Sequence, residues 1–329
     1  MKQRHENTSG HINGYPTLPL QSSLRRGMRA GCLVLRGSTG LLLSILLLIH
    51  IFPAKSHSSD VEKRVVLIGI DGLSNRGLDL ATTPRLDELI QNGFLVRKSK
   101  GVMPTKSSPN WSSILTGAYP KDHGIHSNQW WWFRWTRRAQ FPTIFSALAK
   151  QAPQRVTSAV YEWKHFGKLW ACDDATHQRW VEYSYDTVSA VKETLNNHQP
   201  HLLVVHLLQA DFMGHEYGWE TSQYLAAMSR VDAQVGEIVD FLNSDPRFSK
   251  TLIIVASDHG GVGKKHGGNS ETERYTPVII NGPNGRSNEV ASTEINNVDI
   301  AFTMAEYLDV VLSSPARGQV IPWRRTSAQ

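Results

Sequence analysis

The sequence predicts an α/β fold, a three-layer sandwich in which helices cover both faces of a largely parallel sheet. Three short apolar runs rich in β-branched residues, at 65–70, 202–208 and 252–256, indicate strands that are buried on both faces. Stretches with apolar residues at helical spacing separate these runs, and the clearest covers 223–244. Strands that alternate with helices along a chain are typical of a parallel sheet.

The 329 residues suffice for one large domain, which we expect at 57–329. The formal net charge of +6 comes entirely from residues 1–55, which hold seven Lys or Arg residues and one Glu. The rest of the chain is neutral in balance, so the charge gives no indication of a nucleic-acid-binding surface.

The N-terminal 56 residues have the pattern of a leader segment that directs a protein to or across a membrane. Residues 1–39 are polar and basic and are expected to be disordered, whereas 40–54 is an uncharged apolar run followed by small residues, Ala54 and Ser56. This order is typical of a secretory signal peptide, so 40–56 is interpreted as a signal peptide or a single membrane anchor. A buried core helix is the structural alternative. A signal or an anchor would put the following domain outside the cytosol, as a secreted, periplasmic or membrane-anchored protein.

Each of the three predicted strands is followed by an aspartate: Asp71, Asp211 and Asp258. Ligands of parallel sheets bind beyond the carboxyl ends of the strands, so these side chains are expected to converge. His215 follows Asp211 by four positions, and His259 and His266 lie in a glycine-rich stretch. Any one of these segments could be an ordinary polar turn. Together they predict a site for zinc, with manganese as the harder alternative.

Ser107 is the candidate nucleophile. Pro109 is favoured at the first position of a helix and Ser108 is a good N-cap, so Ser107 is expected just ahead of a helix N-terminus. Free backbone N–H groups there favour a phosphate. A serine hydroxyl needs a base or a metal to become a nucleophile. Two serines that only cap a helix are the structural alternative.

The order of the segments IGIDG, PTKSSPNWSSILTGAYPKDHGI, DFMGH, SDHGG and KHGG resembles the alkaline phosphatase superfamily. Within it the chain is most similar to the type I phosphodiesterase/nucleotide pyrophosphatase family, over residues 63–285. The resemblance implies an alkaline phosphatase-like catalytic domain. Only seven positions separate His259 from His266, so no large cap insertion is expected.

The resemblance also implies two divalent metal ions. It assigns Asp211, His215 and His266 to one ion. It assigns Asp71, Asp258 and His259 to the other, with Ser107 as the nucleophile and as a further ligand of that ion. By the same resemblance, Asn110 hydrogen-bonds a phosphoryl oxygen.

The resemblance, together with these residues, implies a hydrolase of phosphodiester or pyrophosphate bonds that acts through a phosphoserine intermediate. The partner would be a small phosphate ester, with a nucleotide as one candidate, and 40–54 could anchor the protein to a membrane. The family's diesterases usually carry threonine where Ser107 stands, which leaves a phosphomonoesterase as the near alternative. The sulfatase signature Cys/Ser-x-Pro-x-Arg is absent. A catalytically silent metal-binding module is the alternative from another class.

Two aromatic segments, 127–138 and 160–170, could either stack a base or sugar of the substrate or pack as structural elements. His123, His126, His165 and His206 are interpreted as structural, with His206 inside a strand.

Overall fold

The computed structural model describes residues 61–129, 141–171, 173–313 and 315–325. The leader and the tryptophan-rich stretch 130–135 lie outside these ranges. No helix within the described ranges combines the length and the apolarity needed to cross a membrane.

A single mixed sheet runs through the domain in the order β4-β3-β5-β1-β6-β7-β2-β8, with β9 pairing β2. Among the described strands only β7 runs antiparallel to its neighbours. The strands are β1 Arg64–Ile70, β2 Phe94–Lys100, β3 Thr157–Tyr161, β4 His177–Trp180, β5 Leu202–Leu207, β6 Thr251–Ala256, β7 Tyr275–Asn281, β8 Glu289–Val290 and β9 Ile295–Asn296.

The predicted apolar runs are the three central strands, β5, β1 and β6, and every residue in them is buried. The helices are α1 Asn75–Leu80, α2 Pro84–Gln91, α3 Ser107–Thr116, α4 Pro120–His123, α5 Ile144–Gln151, α6 Thr187–His198, α7 Gln209–Tyr217, α8 Ser222–Ser244, α9 Glu271–Arg274 and α10 Asp299–Tyr307.

Alternating side chains of the central strands point into two separate cores, as expected for a sheet covered on both faces. On one face Val65 and Leu67 pack with residues of α3, α5 and α10. On the other face Val66 and Ile68 pack with residues of α1, α2, α6 and α8. The predicted three-layer α/β sandwich is therefore confirmed, and its parallel strands bring their carboxyl ends to one edge.

Candidate active site

The predicted acidic and histidine residues meet at the carboxyl edge of the central strands. Asp71 directly follows β1, Asp211 lies in α7 just after β5, and Asp258 and His259 follow β6. The chain then passes through the glycine-rich stretch to His266, whose ring stacks on that of His259 with 3.6 Å between centroids.

The first group consists of Asp211, His215 and His266, whose ligand atoms lie within 4.8 Å of one another. Asp211 Oδ1 is 3.6 Å from His215 Nε2 and 3.8 Å from His266 Nε2. Each imidazole places Nδ1 against a backbone carbonyl, that of Lys264 at 3.0 Å and that of Thr105 at 2.8 Å. Nδ1 is therefore the protonated atom, and Nε2 carries a lone pair.

The two Nε2 atoms of His215 and His266 are 3.0 Å apart. Two lone pairs at this distance repel each other, and Asp211 Oδ1 adds negative charge beside them. A cation relieves both conflicts, so this donor set fits a metal ion. The side chain of His215 is 45% exposed, which leaves the group open to solvent.

The second group is fully buried and centres on His259. Its Nε2 lies 3.2 Å from Asp258 Oδ2 and 3.6 Å from Asp71 Oδ1, and its Nδ1 faces the Gly260 carbonyl at 3.0 Å. Asp211 also lies within 4.8 Å of Asp71 and His259, so this carboxylate is within reach of both groups. The sequence assigned Asp211 to one group only.

Three carboxylate oxygens in the two groups are buried and accept no hydrogen bond from any described residue: Asp71 Oδ1, Asp211 Oδ1 and Asp258 Oδ2. A buried carboxylate oxygen without a partner is costly, and three of them facing imidazole lone pairs require a positive charge. The chemistry of these side chains therefore fits divalent metal ions.

The electrostatics of the carboxyl groups agree with this. Burial raises the pKa of Asp211 well above its usual range, and the Asp71 charge adds to the effect. Burial also raises the pKa of Asp258, reinforced by Asp71 and Asp211. Burial also acts to raise the pKa of Asp71. The hydrogen bond from His206 and the charges of the His259 and His206 imidazoles outweigh this effect and lower the pKa to about 2. The carboxyl groups cannot all ionise here without added positive charge.

Ser107 lies beside the second group, with its Oγ 3.3 Å from His259 Nε2. The prediction that Ser108 caps the helix was wrong. α3 begins at Ser107, its N-cap is Lys106, and the Ser108 backbone N–H donates to Asn128 Oδ1 at 2.8 Å. Because the side chain of Asn128 satisfies this N–H, the helix starts without a serine cap.

The contacts of Asn110 differ from the role implied for it. Its Oδ1 accepts from the Val102 N–H at 2.7 Å and from Asn297 Nδ2 at 2.9 Å. Its Nδ2 donates to the carbonyls of Val102, Pro104 and Lys106. Both amide atoms thus hold the loop that precedes Ser107, and the side chain is fully buried.

Asn128 is a site residue that the sequence reasoning missed. Its Oδ1 accepts from the N–H of Ser108, the residue after Ser107 in the first turn of α3, and the amide group has its nitrogen as a donor. Asn128 stands 21 positions after Ser107, and no local periodicity connects the two. Only the fold brings them together.

Asp71 has two further partners that the sequence did not identify. Its Oδ2 lies 3.0 Å from His206 Nε2 and accepts from Trp111 Nε1 at 3.1 Å. These donors occupy Oδ2 and leave Oδ1 facing the site, which is how second-layer groups orient a metal ligand. His206 is buried in β5, as predicted, but it is not merely a core residue.

In the aromatic segment 160–170, Phe166 and Trp170 are fully buried, whereas Trp163 is partly buried. The exposed aromatic rings lie elsewhere. Tyr183 and Tyr185 stack on each other with 5.4 Å between centroids and are 52% and 74% exposed. Ser184, between them, bonds Gln209 of α7 at 3.3 Å, so this pair is tied to the helix that carries Asp211.

The structure thus combines an α/β sandwich with a cluster of potential metal ligands beside a serine hydroxyl. The sequence profile of the type I phosphodiesterase/nucleotide pyrophosphatase family matches residues 65–278. The chain belongs to that family.

Relatives and solved structures agree with the assignment. The chain is 28% identical over 225 residues to bis(5'-adenosyl)-triphosphatase ENPP4 of Pongo abelii, covering 62% of this chain and 48% of the relative. It is 27% identical to ectonucleotide pyrophosphatase/phosphodiesterase family member 1 of Homo sapiens, covering 54% of this chain and 21% of the relative. The chain thus spans about half the length, or less, of these two relatives.

Two solved structures share the fold. Murine ectonucleotide pyrophosphatase/phosphodiesterase 5, an inactive form in complex with AMP, superposes with a TM-score of 0.66 at 17% identity, covering 78% of this chain and 98% of that one. The 2-O GAG sulfatase BT1596 superposes with a TM-score of 0.65 at 15% identity, covering 79% and 73%.

Proposed function

We propose that this protein is a metal-dependent hydrolase of phosphodiester or pyrophosphate bonds, with nucleotides as its substrate class. The observation that carries the proposal is the convergence of three unpartnered carboxylate oxygens and three imidazole Nε2 atoms beside the hydroxyl of Ser107. The family membership and the nucleotide-cleaving relatives support the substrate class.

Asp211, His215 and His266 would hold one divalent ion, and Asp71, Asp258 and His259 the other. Two such ions, zinc or manganese, would supply positive charge that lowers the pKa of the Ser107 hydroxyl and balances the charge of the phosphoryl group. The unpartnered oxygens and the lone pairs described above are the ligand atoms that this assignment uses.

Ser107 is the nucleophile in this proposal. After loss of its proton, Oγ forms a bond to phosphorus while the bond from phosphorus to the leaving oxygen breaks. With a monoester the product is phosphoserine, and with a diester the serine-bound phosphorus keeps its second ester group. Water then cleaves the serine ester and regenerates Ser107.

Asn128 Nδ2 and the Ser107 backbone N–H are the proposed donors to the non-bridging oxygens, because the Ser108 N–H already donates to Asn128 Oδ1 and Pro109 has no N–H. Preorganised N–H groups at these oxygens stabilise the charge that develops in the transition state. We assign Asn110 to positioning, because its amide holds the loop before Ser107. The exposed Tyr183 and Tyr185 rings offer a flat, apolar surface for a base, a role that the fully buried Phe166 and Trp170 cannot take.

A phosphomonoesterase is the second candidate, and serine rather than threonine at position 107 favours it. We further propose that the domain acts outside the cytosol, secreted or anchored through 40–54. The order of basic, apolar and small residues in the leader, which is typical of a signal peptide, supports this location. The name of the relative ectonucleotide pyrophosphatase/phosphodiesterase family member 1 also supports it.

The test compares hydrolysis of bis(p-nitrophenyl) phosphate and p-nitrophenyl phosphate by the full chain with added zinc. A preference for the diester of at least about tenfold, roughly 1.4 kcal/mol in transition-state binding, supports the proposal. A preference for the monoester would select the second candidate. Absence of both activities in zinc-loaded protein would support a silent metal-binding module.

The matched variants are Ser107→Ala and Ser112→Ala. Both serines are buried in α3, but Ser112 Oγ has no hydrogen-bond partner among the described residues. We expect Ser107→Ala to lose at least about a thousandfold in kcat, as removal of a nucleophile does, and Ser112→Ala to keep nearly full activity. Equal activity of the two variants would refute the role of Ser107.

A further inference from the structure

A basic cavity is lined in part by residues 100–103, at the start of the loop that leads to Ser107. Its volume is about 340 Å³. Among the described residues, no Asp or Glu lines it. Four basic side chains from three separate segments do: Lys100, Lys121, His126 and Arg274. Like charges brought together in one concave surface repel each other and favour a bound anion.

Most of this charge is not neutralised by the protein. The Arg274 guanidinium donates to neutral acceptors only, the Gly101 carbonyl at 3.2 Å and Asn269 Oδ1 at 2.9 Å. Lys121 is exposed and forms no ion pair with the described residues. Lys100 is the exception, since its Nζ lies 2.9 Å from Glu294 Oε1. The positive charges of Arg274 and Lys121 therefore remain available to a ligand.

The carboxylate that follows Lys121 in the sequence does not neutralise the lysine. Asp122 lies beside Lys121 in sequence, but its carboxylate is directed to Arg317, at 3.7 Å, and its side chain is only 13% exposed. An arginine and a lysine without carboxylate partners are the groups that recognise phosphate in proteins, the first by its planar fork and the second as a point charge.

The volume of the cavity and its apolar lining residues limit the size and the polarity of the ligand. Val102, Met103, Tyr119 and Pro120 give the cavity an apolar side, and Met103 is 39% exposed there. A volume of about 340 Å³ is at the lower end of the range for small-molecule sites. These features fit a compact molecule with a doubly charged head and a small apolar body.

We propose that this cavity is a binding site for a small phosphorylated molecule, separate from the metal-ligand cluster. It shares one loop with the nucleophile: the Gly101 N–H donates to the Arg274 carbonyl at 2.7 Å, and Ser107 lies six residues further on. The inference does not depend on the proposed hydrolytic activity, because occupancy is measured without turnover.

Pyridoxal 5'-phosphate is a suitable probe on the full chain. Its phosphate can bind to the positive charges of Arg274 and Lys121. Its aldehyde condenses with a lysine amine with loss of water, and borohydride reduces the resulting imine to a stable adduct. Peptide mass spectrometry then gives the labelling rate of each lysine. Lys150 is the reference, because it is exposed at the end of α5, away from the cavity lining.

We expect Lys121 to be labelled roughly tenfold faster than Lys150, and inorganic phosphate to slow only Lys121, with saturation. Arg274→Gln should abolish the difference, and Arg274→Lys, which keeps the charge, should restore most of it. Loss in both variants together with a lowered melting temperature would point to misfolding. Lys100→Gln then serves as the second variant and should slow the labelling of Lys121.

Equal rates at Lys121 and Lys150, or a Lys121 rate that phosphate does not change, would overturn the proposal. Phosphate protection should persist in Asp211→Asn, which disables the metal-ligand cluster. Protection that disappears in Asp211→Asn would assign the phosphate to the cluster and would also overturn the proposal.

Discussion

Replacing Trp111 by phenylalanine should weaken metal binding without touching any proposed ligand. The indole Nε1 donates to Asp71 Oδ2 at 3.1 Å, and His206 Nε2 is the other partner of that oxygen. Phenylalanine removes this donor, so Asp71 is held from one side only. A carboxylate that is free to rotate no longer presents Oδ1 to the site at all times.

Two independent estimates of the effect agree. A hydrogen bond to a charged group contributes about 1.5–3 kcal/mol. Loss of a partner that orients a metal ligand lowers metal affinity by about 10- to 100-fold, which is roughly 1.4–2.7 kcal/mol. We therefore expect the zinc concentration for half-maximal hydrolysis to rise by about 10- to 100-fold in Trp111→Phe, with kcat at saturating zinc largely unchanged.

Trp170→Phe is the matched control. Trp170 is also fully buried, but its Nε1 has no hydrogen-bond partner among the described residues. Both substitutions remove part of a core indole and should cost about 1–3 kcal/mol of unfolding free energy, measured in urea. Only Trp111→Phe should change the zinc titration. An equal shift in both variants, or in neither, would refute the proposed orienting role of Trp111.

Two further predictions concern stability. His123 accepts from the Ile125 N–H through Nδ1, and burial lowers its pKa from 6.5 to about 4. The unfolded chain therefore takes up this proton first, so the stabilisation is complete above pH 6.5 and is lost as the pH falls to about 4. That loss is about 3 kcal/mol. Urea unfolding at pH 7 and pH 4.5 should show a smaller loss for His123→Asn, and an identical pH slope would contradict this. Asp232 in α8 accepts from the backbone N–H groups of Arg85 and Leu86 at 3.2 and 2.7 Å and so caps α2 from outside. Asp232→Ala should lower the unfolding free energy by about 1–2 kcal/mol and Asp232→Asn by less, and equal losses would argue against capping.

The central strands could be predicted closely because burial on both faces leaves an uninterrupted apolar run. The run at 65–70 is β1 to within one residue, and the aspartate after each run marks the carboxyl edge. Strands away from the centre give weaker signals. The second half of β2 reads RKSK, and β7 contains Pro277, so neither has the pattern of a buried strand.

The start of α3 could not be predicted from its own residues, because a distant side chain decides it. The capping preferences of Ser and Pro predict an N-cap at Ser108. In the structure the Ser108 N–H donates to the Asn128 side chain, and the helix begins one residue earlier, at Ser107. For Asn110 the family resemblance implied a hydrogen bond to a phosphoryl oxygen. In the structure its amide holds the loop that begins at Gly101, and nothing in the local sequence indicates these contacts.

The surroundings of Asp71 explain two residues that break the apolar pattern of the central strands. Gly69 in β1 is opposite His206 in β5 in the strand register. A Cβ atom at Gly69 would lie 2.4 Å from the Trp111 ring, so only glycine leaves room for the indole to approach Asp71. A strand interior gains stability from a larger side chain at such a position and from an apolar residue in place of a buried histidine. Both positions instead serve the orientation of one carboxylate, which is expected where a buried strand also supports a metal ligand.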